Sequence, residues 1–342
     1  MSDDVSRRAF VKTAGVSTAG LALANVMLAS ADAGHGKDRD RTREFIRDVK
    51  NARLFDLSFT WDENSPIAGV NPPYEMALNK THDDFDPTKP PDQLGTRGAF
   101  DPDRQLSFTS EIQKWSGQHG APSIDAIGHI GHNGLLFGGV NAKAATSDLH
   151  GIGRGAGEVG KNLDIAHYPK ELLVNRGVLL DVARFVNRSA EPLSDTFNIH
   201  GDVLEQTARY QGVKIKRGDT VLVRTGWGRY FSENPNKYKG DNAAGVGVDG
   251  ARWLIKSGAR VVGNDTLTFE VRPPLASPPD VPLFQVFPVH LLVIADNGVN
   301  IIENFLLDEI AAAKEYEFLL VVPPLKIRGG TGSALRSFAL VP

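Results

Sequence analysis

The sequence predicts a single α/β domain over residues 34–342. Short apolar runs of β type alternate with segments of helical spacing in the second half of the chain, glycines stop several of them, and neither an internal repeat nor a linker-like stretch divides them. Leu54-Phe55-Asp56-Leu57-Ser58 reads as a first strand. The stretch that follows, to about Gln105, is rich in Pro, Asp and Asn with weak periodicity, the mark of a long loop that covers a site or a partner. Gly177 to Val182 and Gly218 to Arg224 read as strands, Asp202 to Gln211 and Asp249 to Ser257 as helices, the second closed by Gly258. Ala259 to Val262 reads as a strand stopping at Gly263, and a last helix is expected near Leu306 to Lys314. Between Val271 and Val289 stand Pro273, Pro274, Pro278, Pro279, Pro282 and Pro288, a density that forbids a central strand and predicts a stiff loop delivering His290 to a site wall. A helical or strand-like apolar segment comes next.

The N-terminus reads as an address. Ser6-Arg7-Arg8-Ala9-Phe10-Val11-Lys12 leads into an apolar run from Val16 to Leu28, and Ala31-Asp32-Ala33 offers small residues for cleavage. That pattern predicts a twin-arginine export signal over residues 1–33 and a periplasmic or secreted protein with no stable membrane insertion after cleavage. Residues 34–47 are charged and without periodicity, an arm or a short helix.

At 342 residues, 41% hydrophobic and 23% charged, the chain is of ordinary globular composition. A formal net charge of -3 leaves no broad positive field for a polyanion, so nucleic acid is a poor partner and a small molecule the expected one. There is no cysteine, which removes disulfides, thiolate nucleophiles and thiolate ligands; any metal must sit on histidine and carboxylate.

Chemistry concentrates in His119-Gly120-Ala121-Pro122-Ser123-Ile124-Asp125-Ala126-Ile127-Gly128-His129-Ile130-Gly131-His132. Three histidines and an aspartate crowd together there among glycines that permit the turns needed to bring them to one point. Ser123 as a nucleophile lacks a Gly-x-Ser-x-Gly elbow, and Gly151 to Gly155 lacks the Lys-Ser/Thr ending of a phosphate loop. His150, His167 and His200 are scattered and read as surface or structural histidines.

The segment resembles the signature His-x-Gly-Thr-His-x-Asp-x-Pro-x-His of the cyclase family of metal-dependent hydrolases, which includes bacterial kynurenine formamidase and isatin hydrolase. His119, Asp125 and His129 fall on the first His, the Asp and the last His; Ala121, Pro122, Ser123 and Ile127 depart from the signature, Ser123 standing for the middle His. Asp56-Leu57-Ser58, Arg224-Thr225-Gly226-Trp227, Gly263-Asn264-Asp265-Thr266, and His290 followed by Glu303-Asn304 extend the resemblance. It implies a swivelling β/β/α-type fold with a mixed β-barrel-like core flanked by helices, assembled as a homo-oligomer. It further implies one or two zinc or manganese ions held by His119, Asp125, His290 and Glu303, with His129 as general acid and base. The reaction implied is cleavage of an amide, formamide or lactam carbonyl–nitrogen bond of a small molecule by metal-activated water. Ser123 is a weaker ligand than imidazole, and His132 or Gln118 is a candidate substitute at that corner. Trp115 and Trp227 adjoin motifs and, with Asp265, are candidates for the substrate pocket. Two other readings stay open: a degenerate member that binds small molecules without turnover, and a metal-assisted lactonase or lyase.

Overall fold

The computed structural model describes residues 40–66, 71–72, 74–80, 109–273 and 287–342, except the side chains of Lys80 and His119. The expected export signal lies outside the described residues. The chain separates into one unit of Met1–Arg53 with Pro342 and a second of Leu54–Val341. In the first, residues 40–51 form an exposed helix. No helix among the described residues is long and apolar enough to cross a membrane.

Among the described residues a mixed sheet of nine strands organises the fold. In chain order the strands are β1 (Arg53–Asp56), β2 (Ser123–Asp125), β3 (Val174–Asp181), β4 (Thr220–Arg224), β5 (Val261–Asn264), β6 (Asn300–Glu303), β7 (Glu317–Val321), β8 (Gly332–Ala334) and β9 (Phe338–Val341). Their order across the sheet is β1-β9-β7-β3-β4-β5-β6-β2-β8. The central β3-β4-β5-β6 strands are parallel, and antiparallel pairs extend the sheet at both sides.

Strand periodicity decides which side chain enters which core. Val178, Leu180, Val221, Val223, Val262 and Ile301 point to one core, while Leu179, Leu222, Val261, Ile302 and Ile124 point to the other. With both faces covered, the central strands read as continuous apolar runs, and each such side chain contributes roughly 1.5–3 kcal/mol on burial. Helices α1 (Gly201–Gln211) and α2 (Val248–Ser257) close the first core with Leu204, Ala208, Ala251 and Leu254. Gly258 ends α2 at φ 100°, and a Cβ there would stand 2.8 Å from the Arg217 backbone.

The mixed α/β architecture agrees with the expectation; several bounds do not. β3 starts three residues before Gly177, because Val174 to Arg176 are partly exposed and pair with β7 rather than burying an apolar run. β5 continues through Gly263 to Asn264: the glycine makes room for Phe305, whose ring would stand 2.8 Å from a Cβ, and does not stop the strand. Within the expected loop Glu75–Lys80 forms a strand, which pairs with Ser110–Lys114 just beyond the loop's expected end. Pro288–His290 forms a helical turn that continues as the π-helical segment Leu291–Asp296, and the last helix is only Asp308–Ala312.

Candidate active site

β2 lies between β6 and β8, with Ile124 opposite Ile302 and Ser123 opposite Glu303. Because Ile124 and Ile302 fill one core, the alternation turns Ser123, Asp125 and Glu303 to the other face of the sheet. Glu303 ends β6, so the cluster forms at the carboxyl end of the parallel strands, where open α/β sheets commonly place ligands. Two asparagines hold this corner: Asn300 donates to the Asp125 carbonyl at 2.7 Å, and Asn304, at φ 62°, donates to the Gly120 carbonyl while accepting from the Tyr238 hydroxyl.

His290 enters from its helical turn and is buried. Its Nε2 lies 3.2 Å from Glu303 Oε1 and 3.9 Å from Asp125 Oδ2, and the other Asp125 oxygen lies 3.9 Å from His129 Nε2. Asp125 thus presents one oxygen to each imidazole. Burial opposes the charge on His290, but Glu270 and Glu303 more than reverse this and hold the ring protonated well above the ordinary histidine range. Burial also pushes Glu303 up to about 7, with His290 pulling down and Asp125 pushing further up.

Glu270 is the residue that sequence reasoning missed. It is buried, it contacts His290 Nδ1 at 2.5 Å, and it accepts from the backbone N–H of Val289 and of His290. It carries no motif, and twenty residues separate it from its partner.

The other expected residues sort differently. His119 lies in the turn Gly117–His119, its side chain outside the described residues. His132 is drawn away from the Asp125 corner by Asp296, whose Oδ1 lies 2.8 Å from its Nδ1. Gln118 donates to the Thr331 carbonyl. Trp227 is core rather than pocket wall: it is fully buried and its indole N–H donates to the Leu193 carbonyl. Asp265 likewise serves the frame, accepting from the Thr225 N–H and hydroxyl and from the Gly226 N–H at 2.7–2.8 Å. Burial raises it to about 6 even so. Trp115 is half-buried and meets Trp61 edge-on, while Phe59 stacks on Phe231 at 4.3 Å and donates its N–H to the Ala121 carbonyl. These rings flank the loop that carries His119. Asp265→Ala is expected to lose on the order of 3 kcal/mol in urea unfolding, since three donors lose their acceptor, and Asp265→Asn less than half of that.

A sequence model of the family Cyclase matches residues 55–271 of the 342. The chain belongs to the cyclase family. The matched stretch ends before His290 and Glu303. The fold is shared with a crystal structure described as a novel cyclase, 25% identical, with 86% of this chain and 90% of that one covered at a TM-score of 0.69. It is shared also with isatin hydrolase A from Labrenzia aggregata, solved with benzyl benzoate, at 19% identity, 88% and 99% coverage and a TM-score of 0.62. A predicted metal-dependent hydrolase from Bacillus stearothermophilus is similar at 19% identity, 84% and 98% coverage and a TM-score of 0.50. No curated protein matches the sequence.

Among the described residues no three acidic or histidine side chains already stand as a ready cation cage. The chemistry of the donors present would nonetheless suit a divalent ion. Two carboxylates and an imidazole converge in a buried corner of this cyclase-family chain, where the proton held by His290 faces both carboxylates and Arg272 adds positive charge near Glu303.

Proposed function

We propose that this cyclase-family chain is a metal-dependent hydrolase that opens a carbonyl–nitrogen bond of a small amide, formamide or lactam. The observation that carries the reading is the convergence of Asp125, His290 and Glu303 at 3.2–3.9 Å. These three would hold zinc or manganese, with His119 as a further ligand on the family pattern. When bound, the ion supplies Lewis acidity, polarising the carbonyl and making water acidic enough to attack near neutral pH. His129 is partly exposed beside Asp125, and in this reading it would accept a proton from the attacking water and return it to the leaving nitrogen. Phe59 and Trp61 pack with Ala121 beside the turn that carries His119, and with Trp115 they would screen the site from bulk water. Ser123 opposite Glu303 offers a hydroxyl where the family has an imidazole, which favours one ion over two. We extend the proposal to export by the twin-arginine route and to a homo-oligomer.

Metal analysis of the purified protein together with hydrolysis assays on formamides, isatin-like lactams and lactones tests the reading. His129→Ala is expected to keep the ion and slow turnover by about 10²–10⁴-fold, the usual share of general acid–base catalysis; loss of the ion instead would reassign His129 as a ligand. Retained metal with no turnover on any of these substrates would favour the small-molecule-binding reading, and turnover of lactones alone the lactonase.

The raised His290 and Glu303 also fix a pH dependence. Both groups bind protons more tightly folded than unfolded, so their stabilising contribution is present at low pH and fades as pH rises: for Glu303 from the ordinary carboxylate range up to about 7, for His290 above the ordinary histidine range. In chelator the thermal midpoint is therefore expected to fall between pH 5 and 8, and added zinc to restore it most at the upper end. A midpoint flat with pH would show that the cluster is not charged in this way.

A further inference from the structure

We infer that Glu270 is the positioning residue that commits the Nδ1 of His290 and leaves Nε2 as the only nitrogen able to face Asp125 and Glu303. The role rests on the reading of His290 as a ligand.

Glu270 is held on a built loop rather than on a mobile one. The Asn264 side chain donates to the Phe269 carbonyl and to the Thr266 hydroxyl, and the Val246 N–H donates to the Phe269 carbonyl. A carboxylate buried this deeply is costly unless its oxygens are occupied. Here every described donor comes from the His290 turn: the N–H of Val289 at 3.3 Å, the N–H of His290 at 3.0 Å and the ring Nδ1 at 2.5 Å. The two backbone bonds fix where the turn sits. The third fixes the ring, because turning the imidazole over would set a carbon against the carboxylate and take Nε2 away from Glu303. An anionic partner on the far nitrogen also makes the facing nitrogen a better donor to a cation.

The test uses the full chain, with Glu270→Gln keeping a carbonyl acceptor, Glu270→Leu removing it, and His290→Ala as reference. Zinc affinity is read by competition with a chromophoric chelator after circular dichroism has checked folding. Affinity is expected to fall about tenfold in Glu270→Gln and about a hundredfold in Glu270→Leu. Wild-type affinity in both folded variants, when His290→Ala has lost it, overturns the role. The second readout needs no metal: in ¹⁵N-histidine-labelled apoprotein, His290 should show a slowly exchanging, far-downfield Nδ1 proton. Its signal should shift upfield in Glu270→Gln and vanish in Glu270→Leu. If that proton is missing from the wild type, or unmoved in the variants, the inference fails. If it behaves as expected while His290→Ala leaves zinc affinity intact, Glu270 orients the ring and the metal reading falls instead. Should Glu270→Leu not fold, Glu270→Gln alone decides through both readouts.

Discussion

Glu303→Gln is expected to lower the affinity for zinc or manganese by at least a hundredfold and hydrolysis with it, while making the metal-free protein more stable at pH 8. The two effects have one cause. The Glu303 carboxylate is forced into a buried corner beside Asp125, and burial lifts it to about 7. Above that pH the charge is held against the preference of its surroundings, at up to about 3 kcal/mol on the usual conversion of a pKa shift into free energy. A neutral amide of the same shape relieves that strain, still accepts from His290 Nε2, and cannot hold a cation as a carboxylate does. Calorimetric zinc titration and urea unfolding in chelator measure the two halves. A variant that lost stability at pH 8 without metal would mean that the His290 ion pair outweighs the burial of the charge.

Arg224→Ala is expected to cost about 3–5 kcal/mol, enough to leave much of the chain unfolded at 37 °C. Arg224 is buried at the end of β4. It donates to Asp181 at 2.9 Å, to Asp308 and to the Ala190 carbonyl. Burial works against its charge, but Asp181, Asp265 and Asp308 together hold it firmly protonated. Truncation leaves the equally buried Asp181 with only the partly exposed Arg184, at 3.2 Å, as a cation, and that poorly compensated charge, more than the lost bond, sets the magnitude. Arg224→Ala combined with Asp181→Ala should recover part of the loss. A double variant that loses the sum of what Arg224→Ala and Asp181→Ala lose separately would show that the pair is not coupled.

Arg224 and Asp265 belong to motifs, Arg-Thr-Gly-Trp and Gly-x-Asp-Thr, that are plain in the sequence, yet their place in the frame is not. Asp265 caps the turn at Thr225 and Gly226, and Trp227 fills the core behind that turn. A motif shows that residues matter together; it does not show whether they face substrate or each other. His132 makes the same point from the other side. Its spacing to His129 points to a shared site, but Asp296 takes its ring.

Read alone, the sequence determined the alternation of strands and helices, the absence of any thiolate chemistry, and the two segments, around Asp125 and from His290 to Glu303, in which donors for a cation are concentrated. These follow from local periodicity and residue chemistry, which need no knowledge of what lies across the molecule. The tertiary structure decided the rest: that Ser123 stands opposite Glu303, that Asp125 divides its oxygens between two imidazoles, and that Glu270 takes the back of His290. Strand register and the approach of a distant loop set those contacts. Neither leaves a spacing in the chain, because both arise from packing between segments that the sequence lists far apart.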